Sequence, residues 1–136
     1  MPHPLHIALW GCGNMGSSLA QALVATDKAK LAVVHDLSEE STTAFSERYG
    51  AQVAPTVEAL LAHPGLDGVI VALPPYLHPM AVCQAADAGL DVFCEKPMAR
   101  SLDEGSAMVE AAGKAGKTLG VGYCLRYHDA YILARD

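Results

Sequence analysis

The chain has 136 residues, 51% of them hydrophobic, with 9 basic against 15 acidic side chains and a formal net charge of −6. That length allows one domain with a buried core rather than two ordinary ones; the scattered basic residues make no concentrated face for nucleic acid, and no apolar run approaches the ~20 residues of a membrane-spanning helix. The start, Met1-Pro2-His3-Pro4-Leu5-His6, lacks the basic flank and apolar stretch of a secretion signal, and Cys12, Cys83, Cys94 and Cys124 form neither a CxxC pair nor a zinc-spaced ladder, so a soluble cytoplasmic protein with reduced thiols, no metal site and no membrane partner is expected.

In chain order, short apolar runs predict strands at Leu5 to Trp10, Leu31 to His35, Ala51 to Ala54, Gly68 to Leu73, Asp91 to Cys94 and Thr118 to Tyr123. Helical spacing fills the gaps: Met15, Leu19, Ala22 and Leu23; Ala44, Phe45 and Tyr49; Val57, Leu60 and Leu61; Met80, Cys83 and Ala86; Leu102, Met108, Ala111 and Ala112. Near-continuous apolar strands such as "GVIVAL" call for burial on both faces, as in a parallel sheet covered by helices. Ser101 with Glu104 reads as a capping box, Pro79 suits a first helical turn, and Gly50, Gly89 and Gly116 stand where helices stop. The expected fold is α/β: a Rossmann doubly wound parallel sheet of about six strands in the order 3-2-1-4-5-6, with helices on both faces.

Between the first strand and the first helix lies Gly11-Cys12-Gly13-Asn14-Met15-Gly16, which fits G-x-G-x-x-G. Gly11 permits the tight turn, Gly13 lets backbone approach a pyrophosphate, and Gly16 lets helix pack closely on strand. A helix beginning near Asn14 and Met15 aims its unpaired N–H groups at the phosphates. Alone, such a turn also serves packing. Asp36, at the end of the second strand and about 20 residues beyond Gly16, supplies the carboxylate that the pattern needs for ribose hydroxyls. A carboxylate there accepts from the 2′-OH of NAD and repels the 2′-phosphate of NADP, and Leu37, Ser38, Glu39 and Glu40 bring no arginine to hold that phosphate. NAD is therefore the expected cofactor, with NADP disfavoured.

Two later stretches, "VALPPYLHPMAV" at 71–82 and "VFCEKPMA" at 92–99, together with the glycine loop and "GVGYCLRYH" at 120–128, resemble the amino-terminal half of the glucose–fructose oxidoreductase and inositol dehydrogenase (Gfo/Idh/MocA) family. The resemblance implies that Gly11, Gly13, Gly16 and Asp36 bind the dinucleotide, and that Leu73, Pro74, Pro75 and His78 line the cofactor near its nicotinamide side. It also implies that Glu95 lies near the nicotinamide ribose, that Lys96 reaches the substrate hydroxyl as the catalytic residue, and that Pro97 follows a cis bond. Hydride transfer between a sugar or polyol carbinol and the nicotinamide then requires a group that handles the hydroxyl proton, a task an ammonium beside that oxygen can share. Arg126 is expected either at the mouth of that site or in a surface ion pair.

Residues 1–123 are read as the dinucleotide-binding domain and 124–136 as the start of a crossing to a second domain, absent here, that in the resembled family walls the substrate pocket. "YHDAYILARD" begins a helix with Tyr127, Tyr131 and Ala134 on one face. The leading expectation is an amino-terminal piece of an NAD-dependent sugar or polyol dehydrogenase that binds cofactor without turnover. A stand-alone binding module or sensor, and an enzyme assembled from two chains, are the alternatives. Exposed apolar surface also leaves a homo-oligomer open.

Overall fold

The computed structural model describes residues 3–135, so Met1, Pro2 and Asp136, the outer ends of the two expected segments, lie outside the described residues. In chain order the elements are β1 (Leu5–Trp10), α1 (Asn14–Val24), β2 (Ala29–His35), α2 (Glu39–Tyr49), β3 (Gln52–Val53), α3 (Val57–Leu61), β4 (Gly68–Val71), α4 (His78–Asp87), β5 (Asp91–Cys94), α5 (Leu102–Ala115), β6 (Leu119–Val121) and α6 (Asp129–Arg135), with single 3-10 turns at Pro75–Leu77 and Cys124–Tyr127. The six strands form one sheet in the order β3-β2-β1-β4-β5-β6, and every neighbouring pair is parallel. The chain winds outward from β1 to β3, returns to lay β4 beside β1, and winds outward again to β6. The loops after β1 and β4 therefore diverge at the point where the strand order reverses, which is where open α/β sheets bind ligands.

Side-chain alternation along β1 sends its residues into two separate cores. Leu9 joins Ala20, Val34, Phe45 and Ile70 on the side of α1 and α2, while Ala8 and Trp10 join Leu60, Val69, Val71, Val82 and Met108 on the side of α3, α4 and α5. β4 is buried at all four positions, as its unbroken apolar run demands. β5 departs from that pattern: Val92 and Cys94 are buried, whereas Asp91 and Phe93 are exposed. Phe93 borders an apolar hollow of about 420 Å³ that also touches Ile7, Leu19, Leu23 and Ile70.

Several boundaries differ from the sequence expectation. β4 stops at Val71 and not at Leu73, because after Ala72 N–H donates to Trp10 O the chain meets Pro74 and Pro75, which have no N–H for a ladder. β6 ends at Val121, β3 shrinks to two residues, and β2 starts earlier, at Ala29. Helix faces are also rotated. α4 buries His78, Ala81, Val82, Ala85 and Ala86 and leaves Met80 exposed; small alanines let it lie close to the sheet. Ala22, Ala44 and Leu102 face solvent, while Thr42 takes the buried place beside Phe45. Tyr127 lies in the 3-10 turn before α6, and Ile132 is the half-buried member of that helix.

Helix ends follow the capping chemistry. Ser38, Thr56 and Ser101 accept from the N–H groups of Ser41, Ala59 and Glu104, contacts worth about 1 kcal/mol each. The expected capping box at Ser101 is half formed, because Glu104 turns to the backbone N–H and guanidinium of Arg100. Gly50 and Gly116 close α2 and α5 in the left-handed conformation.

Candidate functional site

The glycine loop is shaped by two close approaches. Gly11 has φ +105°, and a side chain there would run into the carbonyl of Ala72; at Gly16 it would run into the carbonyl of Gly11 itself. Both glycines are therefore demanded by the protein's own packing. Gly13 differs, since a Cβ there would meet no protein atom within 4 Å. Its lack of a side chain keeps open the space in front of α1, at whose amino end Asn14 and Met15 sit exposed. No side chain caps α1, and its first turn carries no acid. An uncapped helix start behind an open glycine suits an anion such as a pyrophosphate.

Asp36 lies directly after β2 and faces this loop. Its Oδ2 accepts from the N–H of Cys12 at 2.7 Å, and Oδ1 accepts from the N–H of Ser38 at 2.9 Å. Gly11 N–H donates to His35 O at 2.9 Å, so the loop is tied to the end of β2 by main chain and side chain together. Burial, assisted by the Asp36 charge, pushes the Cys12 thiol up to about 12. Burial beside Glu95 does the same to Cys94. Neither thiol is a nucleophile at neutral pH.

The loop after β4 brings Leu73, Pro74 and Pro75 to the same end of the sheet, with Leu73 against Gly11. His78 changes its reading here. The ring has no exposed surface, so it does not line a ligand space; it lies between the carbonyls of Leu73 and Pro97, 2.8 Å from each. Sequence spacing gave no hint of this, because the partner carbonyls belong to two separate loops.

Beyond β5, the Lys96–Pro97 bond is cis, as the resemblance implied. Glu95 is 7% exposed and accepts the N–H of Lys96 at 3.0 Å. Its carboxylate lies against Gly122, where an added Cβ would come within 3.0 Å of Oε1. Gly122 is thus a site-shaping residue that the sequence reading did not single out, although it stands inside "GVGYCLRYH". Lys96 is exposed and lines a cavity of about 430 Å³ together with Tyr123, Arg126 and Tyr131.

A parallel sheet in the order 3-2-1-4-5-6, with a glycine-rich turn after β1 and a carboxylate after β2 bonded to that turn, defines a dinucleotide-binding Rossmann domain. Residues 5–123 match the model of the Gfo/Idh/MocA family, described as an oxidoreductase family with an NAD-binding Rossmann fold. The chain belongs to that family.

Among its relatives, the scyllo-inositol 2-dehydrogenase (NAD(+)) of Bacillus subtilis is 31% identical over 99% of this chain and 40% of its own length. The D-xylose 1-dehydrogenase (NADP(+)) 2 of Haloferax volcanii is 34% identical over 87% of this chain and 37% of its own. The WlbA dehydrogenase of Chromobacterium violaceum, solved with NADH and UDP-GlcNAcA, superimposes with a TM-score of 0.88 at 36% identity, covering 92% of this chain and 36% of that one. The chain therefore spans between a third and two fifths of the length of these relatives. No helix among the described residues is long and apolar enough to cross a membrane.

Proposed function

We propose that the chain is the cofactor-binding part of an NAD-dependent dehydrogenase that moves hydride to or from a sugar or polyol carbinol. The observation that carries this reading is the Asp36 carboxylate fastened to the glycine loop at Cys12, together with Glu95-Lys96-Pro97 at the adjoining strand end. In this assignment Gly11, Gly13, Asn14, Met15 and Gly16 hold the pyrophosphate, and Asp36 accepts from the adenosine ribose. Leu73, Pro74 and Pro75 border the nicotinamide side, and Glu95 and Pro97 shape the nicotinamide ribose pocket. The bound nicotinamide supplies the hydride acceptor or donor.

In this reading Lys96 is the residue that acts on substrate. It stands exposed beside the 430 Å³ cavity, where its ammonium can donate to a substrate oxygen and share the proton that leaves or joins it. Residues 1–123 form the cofactor domain, and 124–136 lead toward a second domain that completes the substrate walls. The relatives' length, about two and a half times that of this chain, supports this division, and with it the expectation that the 136 residues alone bind cofactor without turnover.

NAD is favoured over NADP because Asp36 presents negative charge where a 2′-phosphate would lie. Calorimetric titration with NADH and with NADPH tests the assignment directly. Saturable binding of NADH in preference to NADPH is expected, and no binding of either would remove the reading.

A further inference from the structure

His78 opens α4 with a ring that has no exposed surface. Each ring nitrogen lies 2.8 Å from a main-chain carbonyl oxygen, Nδ1 from that of Pro97 and Nε2 from that of Leu73. Carbonyl oxygens only accept. A neutral imidazole has one N–H and one lone pair, so it satisfies one of these contacts and turns a lone pair toward the other oxygen; an imidazolium donates to both. Turning the ring over exchanges both N–H···O contacts for weak C–H···O ones inside a site closed to water, which loses more than it relieves.

We propose that His78 is a positioning residue, held as an imidazolium whose two donated bonds set the separation of the loop after β4 from the loop after β5. Those loops carry Leu73, Pro74 and Pro75 on one side and Glu95, Lys96 and Pro97 on the other, the two flanks assigned to the nicotinamide end, so the functional consequence rests on that assignment. A buried charge is tolerated only when it is hydrogen-bonded or balanced. Here two charge-assisted bonds serve the cation, and Glu95, itself buried, lies two residues before Pro97 on the same loop. A ring that satisfied one carbonyl would leave one flank unfastened.

Two measurements test this. In the ¹⁵N-labelled chain at neutral pH without cofactor, ring-nitrogen NMR reports how many protons the His78 imidazole carries, with its signals assigned by their loss in His78→Gln. Two N–H protons are expected; one alone overturns the clamp whether or not the chain binds a dinucleotide. His78→Phe keeps the ring volume and removes both donors. It is expected to weaken NADH binding about tenfold while the chain stays folded, and unchanged affinity in a folded His78→Phe chain overturns the positioning role. Failure of the native chain to bind NADH counts against the dinucleotide reading alone, because the ring-proton count still decides the clamp.

Discussion

Asp36 Oδ2 lies 2.7 Å from the backbone nitrogen of Cys12, so the carboxylate that closes β2 also holds the middle of the glycine loop. Its other oxygen takes the N–H of Ser38, the residue that caps α2. An ionised carboxylate has about four acceptor positions, and two are used here, which leaves the side chain able to accept ribose hydroxyls without releasing the loop. One residue thus sets the loop's position and, in the proposed reading, keeps acceptor positions for a ribose.

Asp36→Ala is therefore expected to weaken NADH binding by about tenfold or more, since a charge-assisted bond contributes roughly 1.5–3 kcal/mol, and to narrow the gap between NADH and NADPH. Fluorescence titration with both nucleotides measures this. Equal affinity of the native chain for the two would show that Asp36 does not select against a 2′-phosphate.

The glycines of the loop separate into those that the protein's own packing demands and one, Gly13, that it does not, and substitution distinguishes them. Gly16→Ala places a methyl against the carbonyl of Gly11 and is expected to lower the stability of the free chain by about 1–3 kcal/mol. Gly13→Ala meets nothing within 4 Å, so thermal melting should stay close to native while NADH affinity drops by about tenfold or more, on the scale of a lost charge-assisted contact. A Gly13→Ala chain that binds NADH normally would place the pyrophosphate elsewhere.

What the sequence disclosed and what it withheld follow from the range of the interactions involved. Local periodicity was enough for six strands, because short apolar or alternating runs such as β4 stand between helix-like segments, and the order 3-2-1-4-5-6 followed from the common arrangement of alternating βα units. The bond between Cys12 and Asp36 was not foreseen, since spacing singled out Asp36 only as a carboxylate for a ribose and the backbone N–H that it accepts leaves no trace in residue identity. His78 was legible as a residue beside the β4 loop, but its burial between two carbonyls depends on how the β5 loop folds over α4. Gly122 was invisible as a site residue because its importance is the carboxylate of Glu95 lying against it. On α2 and α4 the expected Phe45 and Ala86 are buried, but Ala44 and Met80 are not, because small or polar residues, Thr42, Ala81 and Ala85, occupy the closest approaches.

The thiols give a prediction tied to pH. Burial holds Cys12 and Cys94 up to about 12, against 9.0 for a free thiol. Between those limits the unfolded chain gives up protons that the folded chain keeps, so the folded state binds more protons and its stability falls as pH rises through that window. Denaturant melts at stepped pH should show no thiol contribution below about pH 8 and a progressive loss from about pH 9 upward. Alkylation followed by mass spectrometry gives the complementary readout: at pH 8 the exposed Cys124 labels first, and Cys12 and Cys94 label only in denaturant. Fast labelling of Cys12 in the folded chain would mean that the glycine loop opens more freely than its bonds to His35 and Asp36 imply.

Lys96 separates binding from chemistry. Its side chain is exposed at the rim of the 430 Å³ cavity and lies outside both cores, so Lys96→Ala should leave the melting temperature near native and change NADH affinity by no more than about threefold, the range of surface contacts. With NAD⁺ and a polyol such as an inositol, the 136-residue chain is expected to form no NADH detectable by absorbance, because one positioned ammonium at an open cavity neither fixes the carbinol carbon against the nicotinamide nor excludes water. In the proposed reading a second domain completes the substrate walls. Robust NADH formation by this chain, lost in Lys96→Ala, would show instead that the residues around Lys96, Tyr123 and Arg126 are sufficient to orient a substrate, and the division of labour between two domains would have to be abandoned.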